Sequence, residues 1–143
     1  MTVETSETRA ATTVHYAVFG GRRRRFCLRI GEIGELEDLC SAGVGAIWRR
    51  LALLEFRHAD IRETIRLGLI GGGEMQPGAA EALVSRLVDA RPLAESVDLA
   101  VAIMRALIEG VTEEAKRAPG KETAESAPDA PETSPPISSP AQS

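Results

Sequence analysis

Val14-His15-Tyr16-Ala17-Val18-Phe19, Gly20-Gly21, Arg22-Arg23-Arg24-Arg25 and Phe26-Cys27-Leu28-Arg29-Ile30 follow one another without interruption, and the fold reading turns on them. The first six residues are mostly β-branched or aromatic, and Arg25–Ile30 alternates, with Phe26, Leu28 and Ile30 on one face and Arg25, Cys27 and Arg29 on the other. Both segments read as strands. Gly20-Gly21 supplies the positive-φ positions of a tight hairpin turn, with the arginines forming a solvated turn that also protects the strand edge. A lone hairpin is marginal in water, so its apolar face must rest on helices.

Beyond Gly31 the apolar spacing changes from two to between three and four. Ile33, Leu36 and Leu39 or Cys40 make one short stripe, and Ala46, Ile47, Leu51 and Leu54 make a second, separated by Gly43 and Gly45. Arg49, Arg50 and Arg57 fall on or near the wet side of the second stripe. Asp60 suits the cap or first turn of a helix carrying Ile61, Ile65 and Leu69, which Gly71-Gly72-Gly73 stops. Pro77 opens the next helix, with Ala80, Leu83, Val84, Leu87 and Val88 in one stripe as far as Pro92. Val97, Ala100, Val101, Met104, Leu107, Ile108 and Val111 mark the last. The expected fold class is α+β, mostly α: an N-terminal β-hairpin followed by about five short helices.

Working outward, Pro119–Ser143 holds six of the eight prolines and one large aliphatic, Ile137. Such composition buries too little surface to offset chain entropy. Residues 116–143 therefore read as a disordered tail, 1–11 as a disordered arm, and 12–115 as one domain. The whole chain carries 17 basic and 21 acidic side chains, a net charge of −4, and the tail accounts for most of it. No run reaches the ~18 apolar residues of a membrane span, and the first residues lack a signal-peptide core, so no membrane association is expected. Cys27 and Cys40 lie too far apart in sequence for a CxxC unit, and read as small buried hydrophobes in a reducing, cytoplasmic protein.

Reactive groups are sparse. His15 and His58 have no sequence-local ligands, Ser41, Ser85 and Ser96 sit in no nucleophile elbow, and the three glycines at 71–73 follow a helix and precede Glu74-Met75, which a phosphate loop does not. No catalytic residue, cofactor or metal is expected. Glu32, Glu35, Glu37 and Asp38 read as solvent-facing acids favoured near a helix N-terminus. Residues 22–66 hold only three more bases than acids. All five aromatics (Tyr16, Phe19, Phe26, Trp48, Phe56) lie within the first 56 positions, so stacking on nucleobases is poorly supplied elsewhere and nucleic acid is the lesser reading.

The ordered series Phe19-Gly20-Gly21, Phe26 through Leu36-Glu37, Gly43-Val44-Gly45-Ala46-Ile47, Asp60 through Gly73, Pro92-Leu93-Ala94-Glu95, Leu99-Ala100 and Gly110 resembles the gene-transfer-agent tail proteins. This is a tail-tube-associated or tail-assembly-chaperone family from phage-derived clusters of alphaproteobacteria. The chain departs from the family's pattern in its four-arginine run and its long tail. The resemblance implies a non-enzymatic role in building a phage-like tail, with tail-tube and tape-measure proteins as partners. Self-association and incorporation into the particle are both compatible with that role. The residues singled out for partner contact are Arg22, Arg23, Arg24, Arg25, Glu37, Trp48 and Phe56. Ile47, Leu51, Ile61 and Ile65, beside Trp48 and Phe56, read either as an apolar groove or as plain core. The rival function is a small nucleic-acid-associated regulator using Arg22–Arg25.

Overall fold

The computed structural model describes residues 12–112. The expected arm, the expected tail and the last three residues of the expected domain lie outside the described residues. Strand β1, His15–Phe19, pairs antiparallel with β2, Arg22–Phe26. The register runs from His15 opposite Phe26 to Phe19 opposite Arg22, so only Gly20 and Gly21 lie in the turn. Both have positive φ, +67° and +86°, the backbone of a two-residue hairpin whose twist matches the strands it joins.

That register corrects the second strand. Pairing resumes at Arg22, directly after the glycines, and it stops at Phe26, opposite His15 where β1 begins. The four arginines are thus the body of β2. Cys27 donates its N–H to the carbonyl of Gly68, 3.1 Å away, and leaves the hairpin. Leu28 is buried, but Ile30 opens a helix and stands 85% exposed, so the expected alternation ends four residues early.

Five helices follow: α1, Ile30–Cys40; α2, Val44–Ala52; α3, His58–Gly71; α4, Pro77–Val84; and α5, Ala94–Ile108, with a π turn, Ser85–Asp89, extending α4. Helix α3 is the hub, packing against the four other helices and β2. Its inner face is sealed: Ile61, Ile65 and Leu69 are fully buried, together with Phe26, Leu36, Ile47, Leu51, Val84, Val88 and Met104. Ile47, Leu51, Ile61 and Ile65 are therefore plain core, and the groove reading falls. Leu54 leaves the expected stripe for solvent because α2 ends at Ala52, and Ala46, inside α2, is exposed on its outer face.

Helices α1 and α3 begin with the same device. In each, the residue preceding the helix is an arginine and the third helical residue is an acid: Arg29 with Glu32, Arg57 with Asp60. The acid accepts the backbone N–H of that arginine, at 3.0 Å and 2.8 Å respectively. This is half of a capping box, built without a Ser or Thr. Both acids are buried, at 8% and 0% exposure, so Glu32 does not face water as expected.

The glycines after Leu69 do two jobs. Gly73, at φ +77°, closes α3 in a Schellman motif, with Glu74 N–H on the Leu69 carbonyl and Gly73 N–H on the Ile70 carbonyl. Gly68, Gly71 and Gly72 share a helix face, and the exit of β2 lies directly on it. A Cβ on Gly71 would stand 2.0 Å from the Cys27 carbonyl oxygen, and one on Gly72 would stand 2.0 Å from that of Arg25. No side chain fits between these backbones. At the far end of the fold, Thr12 and Val111 exchange backbone hydrogen bonds of 2.8 and 2.9 Å.

Two glycine-to-alanine variants should therefore move in opposite directions. Gly71→Ala is expected to lower unfolding stability by about 2 kcal/mol or more, because the new methyl meets fixed backbone. Gly34→Ala, inside α1 with open space around the added carbon, is expected to raise it by about 0.5–1 kcal/mol. Denaturant titration of the two proteins checks both signs.

Candidate interaction surface

The arginines of β2 are held by the loop that follows α3. Glu74 is the anchor: one carboxylate oxygen accepts the Arg25 N–H at 2.9 Å, and the other lies 3.4 Å from Arg22 Nη2 and 3.7 Å from Arg24 Nη1. Arg24 also donates to the Phe19 carbonyl across the turn at 2.9 Å, leaving its side chain only 11% exposed. Arg25 reaches the Gly72 carbonyl at 3.0 Å, capping the end of α3, and Arg23 lies 4.9 Å above the Tyr16 ring. The cluster is therefore a braced strand and not a turn, with Arg22, Arg23 and Arg25 still exposed to solvent.

The other residues singled out for partner contact fall elsewhere. Glu37, half-buried on α1, accepts the N–H of Val44 at 2.9 Å and so satisfies the first turn of α2. Trp48 is half-buried on α2, with the Arg105 guanidinium of α5 5.7 Å over its ring. Phe56 is half-buried against the core in the loop before α3. The seven residues do not form one constellation.

Electrostatics inside the fold are tightly paired. Asp60 takes a two-pronged grip from Arg50, at 2.8 and 2.6 Å, besides the Arg57 N–H. Burial alone would raise its pKa, yet these hydrogen bonds prevail and hold the carboxyl below its ordinary 3.8. Arg50 is correspondingly tied down and half-buried, not on the wet side. The carboxyl of Glu32 is likewise lowered, chiefly by the Arg29 side-chain hydrogen bonds. Cys40 is buried and free, and burial first, then Asp60, pushes its thiol up to about 12. It is inert at neutral pH. Cys27 is also buried and free.

Neither histidine sits among ligands. His15 is lowered by burial and then by Arg23, which keeps it neutral at pH 7, and His58 Nε2 pairs with Asp89 at 2.9 Å. Among the described residues no group of three or more His, Cys, Asp or Glu could hold a metal ion. No described helix is long and apolar enough to cross a membrane.

One surface feature escaped the sequence reading. A cleft of about 430 Å³ opens between the hairpin tip and the turn joining α4 to α5. Val18, Phe19, Gly20 and Gly21 form one wall, and Arg86, Leu87, Arg91, Glu95 and Ser96 form the other. The π turn shapes it. Residues eight apart in an α-helix sit about 80° out of line at ~100° per residue. The wider π turn, closing i to i+5, removes that offset. Glu81 and Asp89 therefore both reach Arg62, at 2.6 and 2.8 Å, while Arg86 and Leu87 face the hairpin.

The chain matches the family described as phage tail tube protein, GTA-gp10, over residues 12–110. It belongs to that family, and so to the phage-tail-related proteins of gene transfer agents. No curated protein and no solved structure matches it.

Replacing Asp60 by Asn should cost about 3–5 kcal/mol, since Arg50 is left without its buried partner. The pH dependence carries a second signature. A carboxyl held below its ordinary value is protonated first in the unfolded chain, so its stabilisation is present above pH 4 and is lost as pH falls through the folded-state pKa. Urea titrations across that range should show the acid-side loss reduced in Asp60→Asn.

Proposed function

We propose that this protein is a non-enzymatic tail assembly chaperone, acting in the cytoplasm on the tail-tube and tape-measure subunits of a phage-like gene transfer particle. The observation that carries the reading is the family match, which spans all but two of the described residues. The surface supports a role in protein contact. Val18 is 73% exposed on the hairpin and Leu54 is 69% exposed in the loop after α2. Leu54 also holds a left-handed backbone, φ +59°, which costs a residue with a side chain about 1–2 kcal/mol. Leu53, 54% exposed, and Leu54 stand side by side in water, a small apolar spot that suits transient burial against a partner. The nucleic-acid reading draws less support, because the β2 arginines already serve Glu74, Phe19, Gly72 and Tyr16 within the fold.

Affinity capture of the tagged protein from nuclease-treated producing cells, followed by mass spectrometry, tests the reading. Tail-tube and tape-measure subunits are expected in the captured fraction, with the tagged protein absent from purified particles. Its presence in particles at a stoichiometric level would make it a built-in tail component instead. Recovery of nucleoid proteins, or of no tail subunit, would overturn the assembly role.

A further inference from the structure

We propose that the cleft between the hairpin tip and the π turn is a docking site for an acidic peptide segment of a tail subunit, one carrying an Asp or Glu beside an aliphatic side chain. This proposal rests on the tail-assembly reading and names the surface and the chemistry through which it would act.

The walls set the chemistry. The hairpin presents the exposed side chain of Val18 and the half-buried ring of Phe19, and the π turn presents half-buried Leu87. Phe19 and Leu87 make an apolar seat, with Val18, on the opposite face of the strand, at its rim. Gly21 leaves the tip of the hairpin bare, since a Cβ there would meet nothing within 4 Å. A peptide backbone can therefore pass close to that wall. The cleft volume, about 430 Å³, suits a few side chains and not a folded domain.

Charge selects the occupant. Arg86 is exposed and makes no ion pair or hydrogen bond among the described residues, whereas Arg62 and Arg66 on α3 are each paired with at least two acids. Arg91 pairs with Glu95 at 2.7 Å, but both side chains are about half exposed, so that pair is weak and exchangeable. A carboxylate entering beside Leu87 meets Arg86 directly and competes with Glu95 for Arg91. A nucleic acid strand is a poorer fit. Glu95 stands on the rim against a phosphate chain, and the half-buried Phe19 ring is already packed T-shaped with Phe26, 6.1 Å between centroids.

The π turn gives the cleft its shape at a cost in regular helix geometry. Arg62, gripping Glu81 and Asp89 together, holds that geometry in place from the other side. Arg86 is thereby presented to the cleft from the exposed side of the π turn, while Leu87 packs against the core beside it.

Overlapping peptides covering the tail-tube and tape-measure subunits, probed with the full chain, test the proposal. The variants are Arg86→Glu, Val18→Ser and, as a charge-matched control on the exposed face of α2, Arg49→Glu. Bound peptides are expected to hold an acid next to Leu, Ile or Val. Their signal should fall about tenfold or more with Arg86→Glu, fall with Val18→Ser, and stay unchanged with Arg49→Glu. Arg86 is exposed and makes no hydrogen bond or ion pair among the described residues, so its variant should melt as the wild type does. Equal binding by Arg86→Glu, or selection of neutral or basic peptides, overturns the proposal. Intact subunits captured equally by the wild type and the cleft variants would sink the cleft alone. Wild type that captures neither intact subunits nor peptides would sink the assembly reading with it.

Discussion

The fold depends on one close approach of backbone to backbone. Where β2 ends, the carbonyls of Arg25 and Cys27 press onto Gly72 and Gly71 at the end of α3, and Cys27 hands its N–H to Gly68. A hairpin of ten strand residues cannot hold itself together in water. Here its exit is clamped to the helix that touches every other helix. Phe26 is carried into the core beside Gly68, where the absent Cβ leaves room for the ring. Glu74 then finishes the joint by taking the Arg25 N–H and drawing two more arginines toward the same loop.

A second layer of order comes from charge placed where water is excluded. The two arginine–acid pairs at the starts of α1 and α3 fix where each helix begins, and Asp60 joins α2 to α3 through Arg50. Arg50 and Arg57 also approach the Cys40 carbonyl, at 3.5 and 3.4 Å, so the end of α1 is tied to the same junction. Such a junction adds little net energy compared with apolar packing, but it leaves few alternative arrangements of three short helices.

The hairpin, the five helices and most of the core were legible from local rules. Gly20-Gly21, Gly71–Gly73 and Pro77 each mark a boundary that the backbone obeys, and Ala80, Leu83, Val84 and Val88 are buried as their spacing implies. The second strand lies earlier than its apolar alternation implies, because a run of arginines carries no such alternation. Only the pairing with β1 reveals it as a strand. Asp60 stands in the first turn of its helix as its position implies, whereas Glu32 is buried against expectation, because an acid in a first turn ordinarily faces water. Their signal was present as Arg-x-x-Glu at 29–32 and Arg-x-x-Asp at 57–60, an arginine three residues before an acid at two separate helix starts. The partner-contact residues scattered, since Glu37 and the β2 arginines had intramolecular work that no sequence spacing discloses. The cleft could not be read at all: its two walls are some seventy positions apart in the chain.

The exchange of hydrogen bonds between Thr12 and Val111 makes the described domain a ring in all but covalent structure. Its first and last paired residues are neighbours, so the order in which the elements are strung along the chain is not what holds them in place. Topologically, the same packing is available to a chain opened at one of its loops and sealed at this seam.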